Sequence, residues 1–287
     1  MDALNAFKLI DIFRKEGIPE IDVLGGEPMF MPWIADFAET AAENRIFLNI
    51  STNGSIPSVI KRFADIRWDF LNLGFSVEGF KETHNALTGA DNFSRLISGV
   101  RHLISKGKSP IIKSLLTKEN ISELYSLIPY FTEIGIKKYY LLHEDTIGRS
   151  AVCGFSFPDF RKLFIELKKK MEKIIDIGFV AASGFYGADN YRCDAGVKKL
   201  AVMPDGSVFP CNLLAGFKEF NLGNIFTTSL GVILENPLLE VFKKSGAKNN
   251  CKNTDCMYYL LCKGGCPAHS YYFYGSLART DPRCEDE

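Results

Sequence analysis

The first half of the chain alternates two patterns of apolar residues. Short apolar runs that end in glycine or polar residues are typical of strands, and these runs are EIDVLGGEP, RIFLNISTNG, FLNLGFSVEG, SPIIKSLLT and KKYYLLHED. Between them, segments such as LNAFKLIDIFRKEG, NFSRLISGVRHLISKG and NISELYSLIPYFTEIG place apolar residues at helical spacing. Pro129 should kink or divide the last of these helices. The alternation predicts an α/β fold with a parallel sheet wrapped by helices, either a barrel or a doubly wound sheet.

In both architectures, ligands bind at the carboxyl ends of the strands. Here those ends carry residues 25–28 (GGEP), 51–54 (STNG), 76–79 (SVEG) and 143–144 (HE). Glycines let a backbone approach a ligand closely, and carboxylate, amide and hydroxyl groups can hydrogen-bond to it. The sequence therefore predicts a ligand-binding rim, although the same polar residues could simply satisfy backbone groups where strands end.

The second half of the chain has a different composition and a different pattern of apolar residues. Residues 156–178 form a charged amphipathic pattern that predicts a helix closed by Gly178, and we interpret it as a bridge between two units. LAVMPDGSVFPCN predicts a hairpin around its Pro-Asp-Gly turn. From Asn249 onward there are many thiols and few periodic apolar segments, so bound metal would have to supply stability there.

Composition excludes several functional classes. The 287 residues are 46% hydrophobic, which suits one large domain or one large and one small domain. The 34 basic residues balance 34 acidic ones, so no net charge attracts the chain to nucleic acid or anionic lipid. The sequence contains no uncharged apolar run of membrane-spanning length and no signal-peptide pattern, so we expect a cytoplasmic protein.

Eight cysteines are the strongest chemical signal in the sequence. Cys153 stands apart, and we interpret it as a small buried side chain. The other cysteines are crowded into the last third of the chain: Cys193, Cys211, Cys251, Cys256, Cys262, Cys266 and Cys284. In a reducing compartment such crowding favours metal ligands over disulfides. The spacing lacks the paired C-x2-C of zinc knuckles and favours iron–sulfur clusters over zinc, which stays open as an alternative.

The order of these cysteines, with Gly206 five positions before Cys211, resembles the SPASM domain of radical S-adenosylmethionine enzymes. The resemblance implies two auxiliary 4Fe–4S clusters. One would be held by Cys251, Cys256, Cys262 and Cys284, and the other by Cys193, Cys211 and Cys266, with an open or non-cysteine fourth site.

The rim motifs resemble the front half of the same family. The resemblance implies a partial (β/α)6 barrel that lacks its first strand, over residues 1–155, then a bridging helix and linker, 156–190, and a SPASM domain, 191–287. It also implies that S-adenosylmethionine binds near the rim, with these residues as candidate contacts: Gly25, Gly26, Glu27, Pro28, Ser51, Asn53, Ser76 and Glu78. IGRS (147–150) is similar to a late barrel segment.

One family element is missing from the sequence. The family's radical-generating cluster is held by C-x3-C-x2-C after the first barrel strand, but no cysteine precedes Cys153. We expect N-terminal truncation rather than true loss. The resemblance then implies an enzyme that modifies a peptide or protein side chain, served by an electron donor such as flavodoxin or ferredoxin. Asn212 follows Cys211 where sulfatase-maturing members have an aspartate base, which disfavours that substrate. The alternatives are a non-catalytic iron–sulfur relay or peptide-binding scaffold and a zinc-stabilised binding module.

Overall fold

The computed structural model describes residues 1–144, 147, 156–180, 193–247, 251–256, 259 and 264–284. These residues fall into two compact units. The first comprises residues 2–144 and 160–180. The second comprises Ile147, residues 156–159 and the described residues from Cys193 onward, together with Met1.

The first unit is an α/β layer structure around one parallel sheet. Its strands are β1 (Glu20–Val23), β2 (Phe47–Thr52), β3 (Leu71–Ser76), β4 (Ile111–Leu115), β5 (Lys138–Leu142) and β6 (Asp176–Val180). Its helices are α1 (Ala3–Lys15), α2 (Ile34–Glu43), α3 (Pro57–Arg62), α4 (Lys81–Thr88), α5 (Phe93–Ser105), α6 (Ile121–Glu133) and α7 (Phe157–Met171), the last of which starts in the second unit. Within the described residues the six strands lie side by side in chain order, and every neighbouring pair is parallel.

The two faces of this sheet differ in polarity. On β2, Leu48 and Ile50 point to one face and are fully buried. Successive residues of a strand point to opposite faces, and several of the alternate positions on β1 to β3 carry polar side chains. Asp22, Asn49 and Asn72 follow one another in register across these three strands. One apolar face thus packs into the core, and the other carries polar side chains.

The sixth strand corrects the predicted bridging helix. The helix ends at Met171, not at Gly178, and Asp176–Val180 pairs with β5 as the last strand of the sheet. Gly178 is a mid-strand residue whose added Cβ would lie 2.3 Å from Cε1 of Tyr140. Glycine is therefore required there by the neighbouring ring, and not as a helix cap. The prediction for Pro129 was also too strong, since α6 continues through it from Ile121 to Glu133.

The second unit is smaller and its regular elements are short. The predicted hairpin is confirmed: β7 (Ala201–Val202) pairs antiparallel with β8 (Ser207–Phe209), which also pairs with β9 (Gly223–Asn224). Gly206 has φ +86° in the turn, and a Cβ there would meet the Phe226 ring at 2.3 Å. Helices α8 (Leu230–Leu234), α9 (Leu238–Ala247) and α10 (Pro267–Tyr274) complete it. No helix in the described part of the chain is both long and apolar enough to cross a membrane.

Candidate active-site rim and thiol cluster

Glu27 organises the loop that follows β1. Its Oε1 accepts hydrogen bonds from the Met29 amide at 3.0 Å and from the Thr52 hydroxyl at 2.6 Å. Its Oε2 accepts from the Asn53 amide at 2.7 Å. A carboxylate has about four acceptor positions, so these bonds leave about one for a ligand. Glu27 therefore joins the loops after β1 and β2, which is a structural task in addition to its predicted contact with S-adenosylmethionine.

The two glycines of the same loop border open space. A Cβ added to Gly25 or Gly26 would meet no protein atom within 4 Å. Gly25 has φ +94°, a backbone conformation that a side chain would strain. Pro28 is buried and opens the short 3₁₀ turn Pro28–Phe30. The loop thus presents bare backbone next to Glu27, as a close approach by a ligand requires.

A chain of hydrogen bonds connects the loops after β2 and β3. The Glu78 amide donates to Nδ1 of His84 at 3.1 Å, and Nε2 of His84 lies 3.0 Å from Oδ1 of Asn92. Nδ2 of Asn92 then donates to the Asn53 carbonyl at 3.0 Å. Burial lowers the pKa of His84, against a smaller opposing effect of Asn92. A neutral ring with its proton on Nε2 satisfies both contacts.

Glu78 itself lies where β3 and β4 end. Its Oε2 accepts a hydrogen bond from the Leu115 amide at 2.7 Å. Burial raises the pKa of Glu78 to about 7, although the bond from Leu115 opposes the shift. The carboxyl group therefore changes charge near neutral pH. Ser76, the last residue of β3, is in register with Lys113 of β4.

Lys113 is a rim residue that the sequence analysis did not select. Its Nζ donates to Oγ of Ser51 at 2.8 Å, reaching from β4 across β3 to β2. Gly74 of β3 leaves room for this side chain, because a Cβ there would lie 2.5 Å from Cε of Lys113. Burial lowers the pKa of Lys113, and the charge of Asp22 on β1 opposes the shift. A lysine inside the apolar run PIIKSLL was the signal in the sequence.

Asn49 continues this polar face toward β1 and β3. Its Nδ2 donates to Oε1 of Glu20 at 2.5 Å and to Oδ1 of Asp22 at 2.8 Å. Its Oδ1 accepts from Nδ2 of Asn72 at 2.8 Å. We call the set Asp22, Asn49, Ser51, Asn72 and Lys113 the polar face. It carries both signs of charge directly below the rim loops.

Three of the seven predicted cysteine ligands belong to the core of the second unit or pack against it. Cys211 and Cys266 belong to one buried cluster with Phe209, Leu214 and Phe242, and Cys193 packs against it. They are separated by up to 73 positions in the sequence (193 to 266), and the fold brings them together. Cys251, Cys256 and Cys284 are partly exposed, and Cys262 and Cys153 lie outside the described residues, as do residues 148–150 of IGRS. The described residues include no group of three metal-binding side chains close enough for a single ion.

Comparison with known proteins bears on both units. A sequence profile of the Radical SAM superfamily matches residues 1–128, and the SPASM profile, an iron–sulfur cluster-binding domain, matches residues 193–257. The two matches stand in the order that the sequence motifs predict. The chain therefore carries a radical SAM domain followed by a SPASM domain. These domains imply 4Fe–4S clusters and S-adenosylmethionine as cofactors. Cys262, Cys266 and Cys284 lie beyond the matched part of the SPASM domain.

Known relatives of this radical SAM protein have several chemistries. The AdoMet-dependent heme synthase of Methanosarcina barkeri is 25% identical over 98% of this chain and 86% of its own length. The mycofactocin maturase MftC of Mycobacterium tuberculosis is 22% identical over 96% of this chain and 73% of its own. The structure of Streptococcus suis SuiB bound to its precursor peptide SuiA superposes with a TM-score of 0.82 at 17% identity, covering 99% of this chain and 69% of SuiB. At that identity the superposition establishes the fold.

The thiols of the SPASM domain fit the donor set of an iron–sulfur cluster. The six cysteines that the structure describes in this domain are present as thiols. The Ala195 amide donates to Sγ of Cys193 at 3.3 Å. Amide hydrogen bonds to sulfur stabilise the thiolate form that binds iron. A cluster places each thiolate on a different iron, so its ligands stand farther apart than those of a single ion.

The thiol of Cys266 is buried, and its pKa is strongly perturbed. Burial raises its pKa strongly, and the charges of Asp281 and Cys193 add to the shift. Arg283 and a backbone hydrogen bond from His269 oppose it. Iron would have to displace the proton of Cys266, as it does for any thiolate ligand.

Proposed function

We propose that this protein acts in the radical-based modification of a peptide or protein side chain, with S-adenosylmethionine at the rim and two auxiliary 4Fe–4S clusters in the SPASM domain. The observation that supports it best is that Cys193, Cys211 and Cys266 pack into the same apolar core of the second unit. Zinc modules use short paired knuckles, whereas these ligands come from distant parts of the sequence. The peptide-modifying class is supported by MftC, a mycofactocin maturase, and by SuiB with its bound precursor peptide.

The rim residues have separate tasks in this proposal. Bare backbone at Gly25 and Gly26, with the remaining acceptor position of Glu27, would hold the ammonium group of S-adenosylmethionine. Ser51, Asn53, Ser76 and Glu78 would contact its other polar groups. Glu78 is held in place by the Leu115 amide, and near pH 7 it can accept a hydrogen bond or donate one. S-adenosylmethionine held there would supply radical chemistry for abstraction of a hydrogen atom from the substrate, given one electron from a further iron–sulfur cluster.

The auxiliary clusters would be held by two thiol sets. Cys251, Cys256, Cys262 and Cys284 would hold one, and Cys193, Cys211 and Cys266 the other. Asn212 follows Cys211, is exposed, and accepts a hydrogen bond from its thiol at 3.4 Å. An amide cannot take a proton at neutral pH, so Asn212 is no general base and sulfatase maturation is disfavoured. An electron donor such as flavodoxin or ferredoxin would serve the clusters.

Radical initiation needs a further cluster held by three thiolates. Residues 1–152 contain no cysteine. We therefore propose that these thiolates are provided from outside the 287 residues. The same fact favours a second candidate, a non-catalytic iron–sulfur relay or peptide-binding scaffold. The genomic sequence upstream of Met1 separates the two: an in-frame C-x3-C-x2-C supports the enzyme, and an immediate stop codon supports the scaffold.

Metal analysis tests the proposal directly. After anaerobic reconstitution, the protein should contain about eight irons and eight acid-labile sulfides, as two 4Fe–4S clusters require. The visible spectrum should show the sulfur-to-iron absorption, and S-adenosylmethionine should bind in equilibrium dialysis. Stoichiometric zinc without sulfide would reject the iron–sulfur assignment and leave a zinc-stabilised module.

A further inference from the structure

A buried ion pair lies between two of the predicted cluster ligands. The side chains of Asp281 and Arg283 are 3% and 1% exposed. Nε of Arg283 donates to Oδ1 of Asp281 at 3.0 Å, and its terminal NH2 group donates to Oδ2 at 2.8 Å. A two-point contact of this kind fixes the orientation of a carboxylate as well as its position.

Asp281 also contacts the main chain of both cysteines that flank it in space. Its Oδ2 accepts a hydrogen bond from the Cys266 amide at 2.9 Å. Its carbonyl oxygen accepts from the Cys284 amide at 3.0 Å, and its own amide donates to the Gly264 carbonyl at 2.9 Å. Asp281 therefore connects its own segment, which includes Cys284, to the segment of Cys266, which lies 15 positions earlier in the sequence.

Gly265 shows how closely these segments approach. A Cβ on Gly265 would lie 2.3 Å from Cβ of Asp281, and Gly265 has φ +79°. No side chain fits between the Cys266 segment and Asp281. The contact is thus a close backbone-to-side-chain junction, at which a small displacement of Asp281 would move Cys266 directly.

We propose that Asp281, oriented by Arg283, is a positioning residue shared by the two auxiliary clusters. The inference rests on the proposed function, in which Cys266 and Cys284 serve different clusters. Through Cys266 it would set the geometry of the cluster held with Cys193 and Cys211. Through Cys284 it would set that of the cluster held with Cys251 and Cys256. Loss of Asp281 should therefore impair both clusters at once, unlike loss of a single ligand.

The test compares a ligand variant with variants of the ion pair. Cys284→Ala should lose one cluster, from about eight irons per chain to about four. Asp281→Asn leaves the Arg283 charge buried without its counterion, and should lose iron from both clusters. Asp281→Leu with Arg283→Met removes both charges and keeps a similar volume, a change that other buried ion pairs tolerate without unfolding. Glu240→Gln is the matched control, because Glu240 forms an exposed ion pair with Lys243 in the same unit.

The readouts are iron and sulfide content, the electron paramagnetic resonance (EPR) spectrum of each reduced cluster, the reduction potentials, and circular dichroism of the iron-free protein. We expect the double variant to keep the circular dichroism of its helices and to lose EPR signal from both clusters together. The clusters that remain should have shifted reduction potentials. Normal iron content with unchanged spectra, loss confined to one cluster, or an iron-free double variant with a weaker helical signal than the iron-free unmodified protein would each overturn the inference. Absence of iron and sulfide in the unmodified protein would reject the proposed function itself.

Discussion

The rim of the first unit and the thiol cluster of the second are organised by different forces. At the rim, polar side chains hold one another: Glu27 bonds to Thr52 and Asn53, and Lys113 to Ser51. In the second unit, Cys211 and Cys266 lie among apolar side chains, which offer sulfur little beyond packing. The rim is therefore pre-organised by its own hydrogen bonds. Under the proposed function, the thiol cluster would gain its strongest interactions only on binding metal.

Removal of the clusters should show the largest difference between the two regions. We expect a chelator and reductant to accelerate amide hydrogen exchange over residues 193–247 by more than about a hundredfold, or about 3 kcal/mol, because metal binding supplies folding free energy there. Residues 47–52, which form β2 in the apolar core of the first unit, should change little. Hydrogen exchange with mass spectrometry measures both segments in one sample. Equal protection before and after iron removal would mean that the second unit is stable on its own packing.

Glu78 should make the first unit sensitive to pH. Its pKa is raised to about 7 in the folded protein, against about 4.3 in an unfolded chain. Between these values the folded state binds more protons, so the free energy of unfolding falls as pH rises, by about 3 kcal/mol at most. Glu78→Gln should flatten this dependence in urea unfolding at pH 5 and pH 8. The exposed Glu82→Gln serves as control, and the same slope in both variants would contradict the assignment.

Glu27 tests whether the rim is held by its own hydrogen bonds. Glu27→Gln keeps the size of the side chain but replaces one carboxylate oxygen with an NH2 group. This group cannot accept a hydrogen bond, so either the Asn53 amide or the Thr52 hydroxyl loses its acceptor. We expect a loss of about 2 kcal/mol in the free energy of unfolding, since hydrogen bonds to charged groups contribute about 1.5 to 3 kcal/mol. Urea unfolding measures it, with the exposed Glu39→Gln as control. A loss within about 0.5 kcal/mol, as for ordinary surface changes, would show that the rim does not depend on Glu27.

Much of the fold could be predicted from local sequence patterns. The errors arose where contacts between residues distant in the sequence determine the structure. The strand ends were predictable because each apolar run stops at glycine or polar residues. Strand β6 was missed because residues 172–178 continue the charged pattern of α7, and only the Tyr140 ring explains Gly178. On α1, the helical spacing groups Leu4 with Ile10, yet Leu4 is 80% exposed and Ile10 is buried. Spacing alone does not tell which side of a short helix meets its neighbour.

The sequence predicted which residues lie at the candidate site better than it predicted the contacts they make. Glu27, Asn53 and Glu78 were selected as ligand contacts, but their bonds to other loops depend on the register of parallel strands. His84 and Asn92 connect two of those loops and could be identified only from the folded structure. The convergence of the thiols is likewise a property of the fold. Their ligand roles, and those of the rim residues, stay predictions.

Lys113 gives the smallest expected effect on stability and separates binding from folding. Its bond to Ser51 is offset by the cost of removing an ammonium group from water, which also lowers its pKa. We therefore expect Lys113→Met to change the free energy of unfolding by less than about 1 kcal/mol. The same variant should bind S-adenosylmethionine more weakly in equilibrium dialysis, because Ser51 loses the partner that orients it. Lys118→Met, at an exposed position beyond β4, is the matched control. A large loss of stability with unchanged binding of S-adenosylmethionine would contradict this prediction. It would mean that Lys113 stabilises the fold and does not contribute to ligand binding.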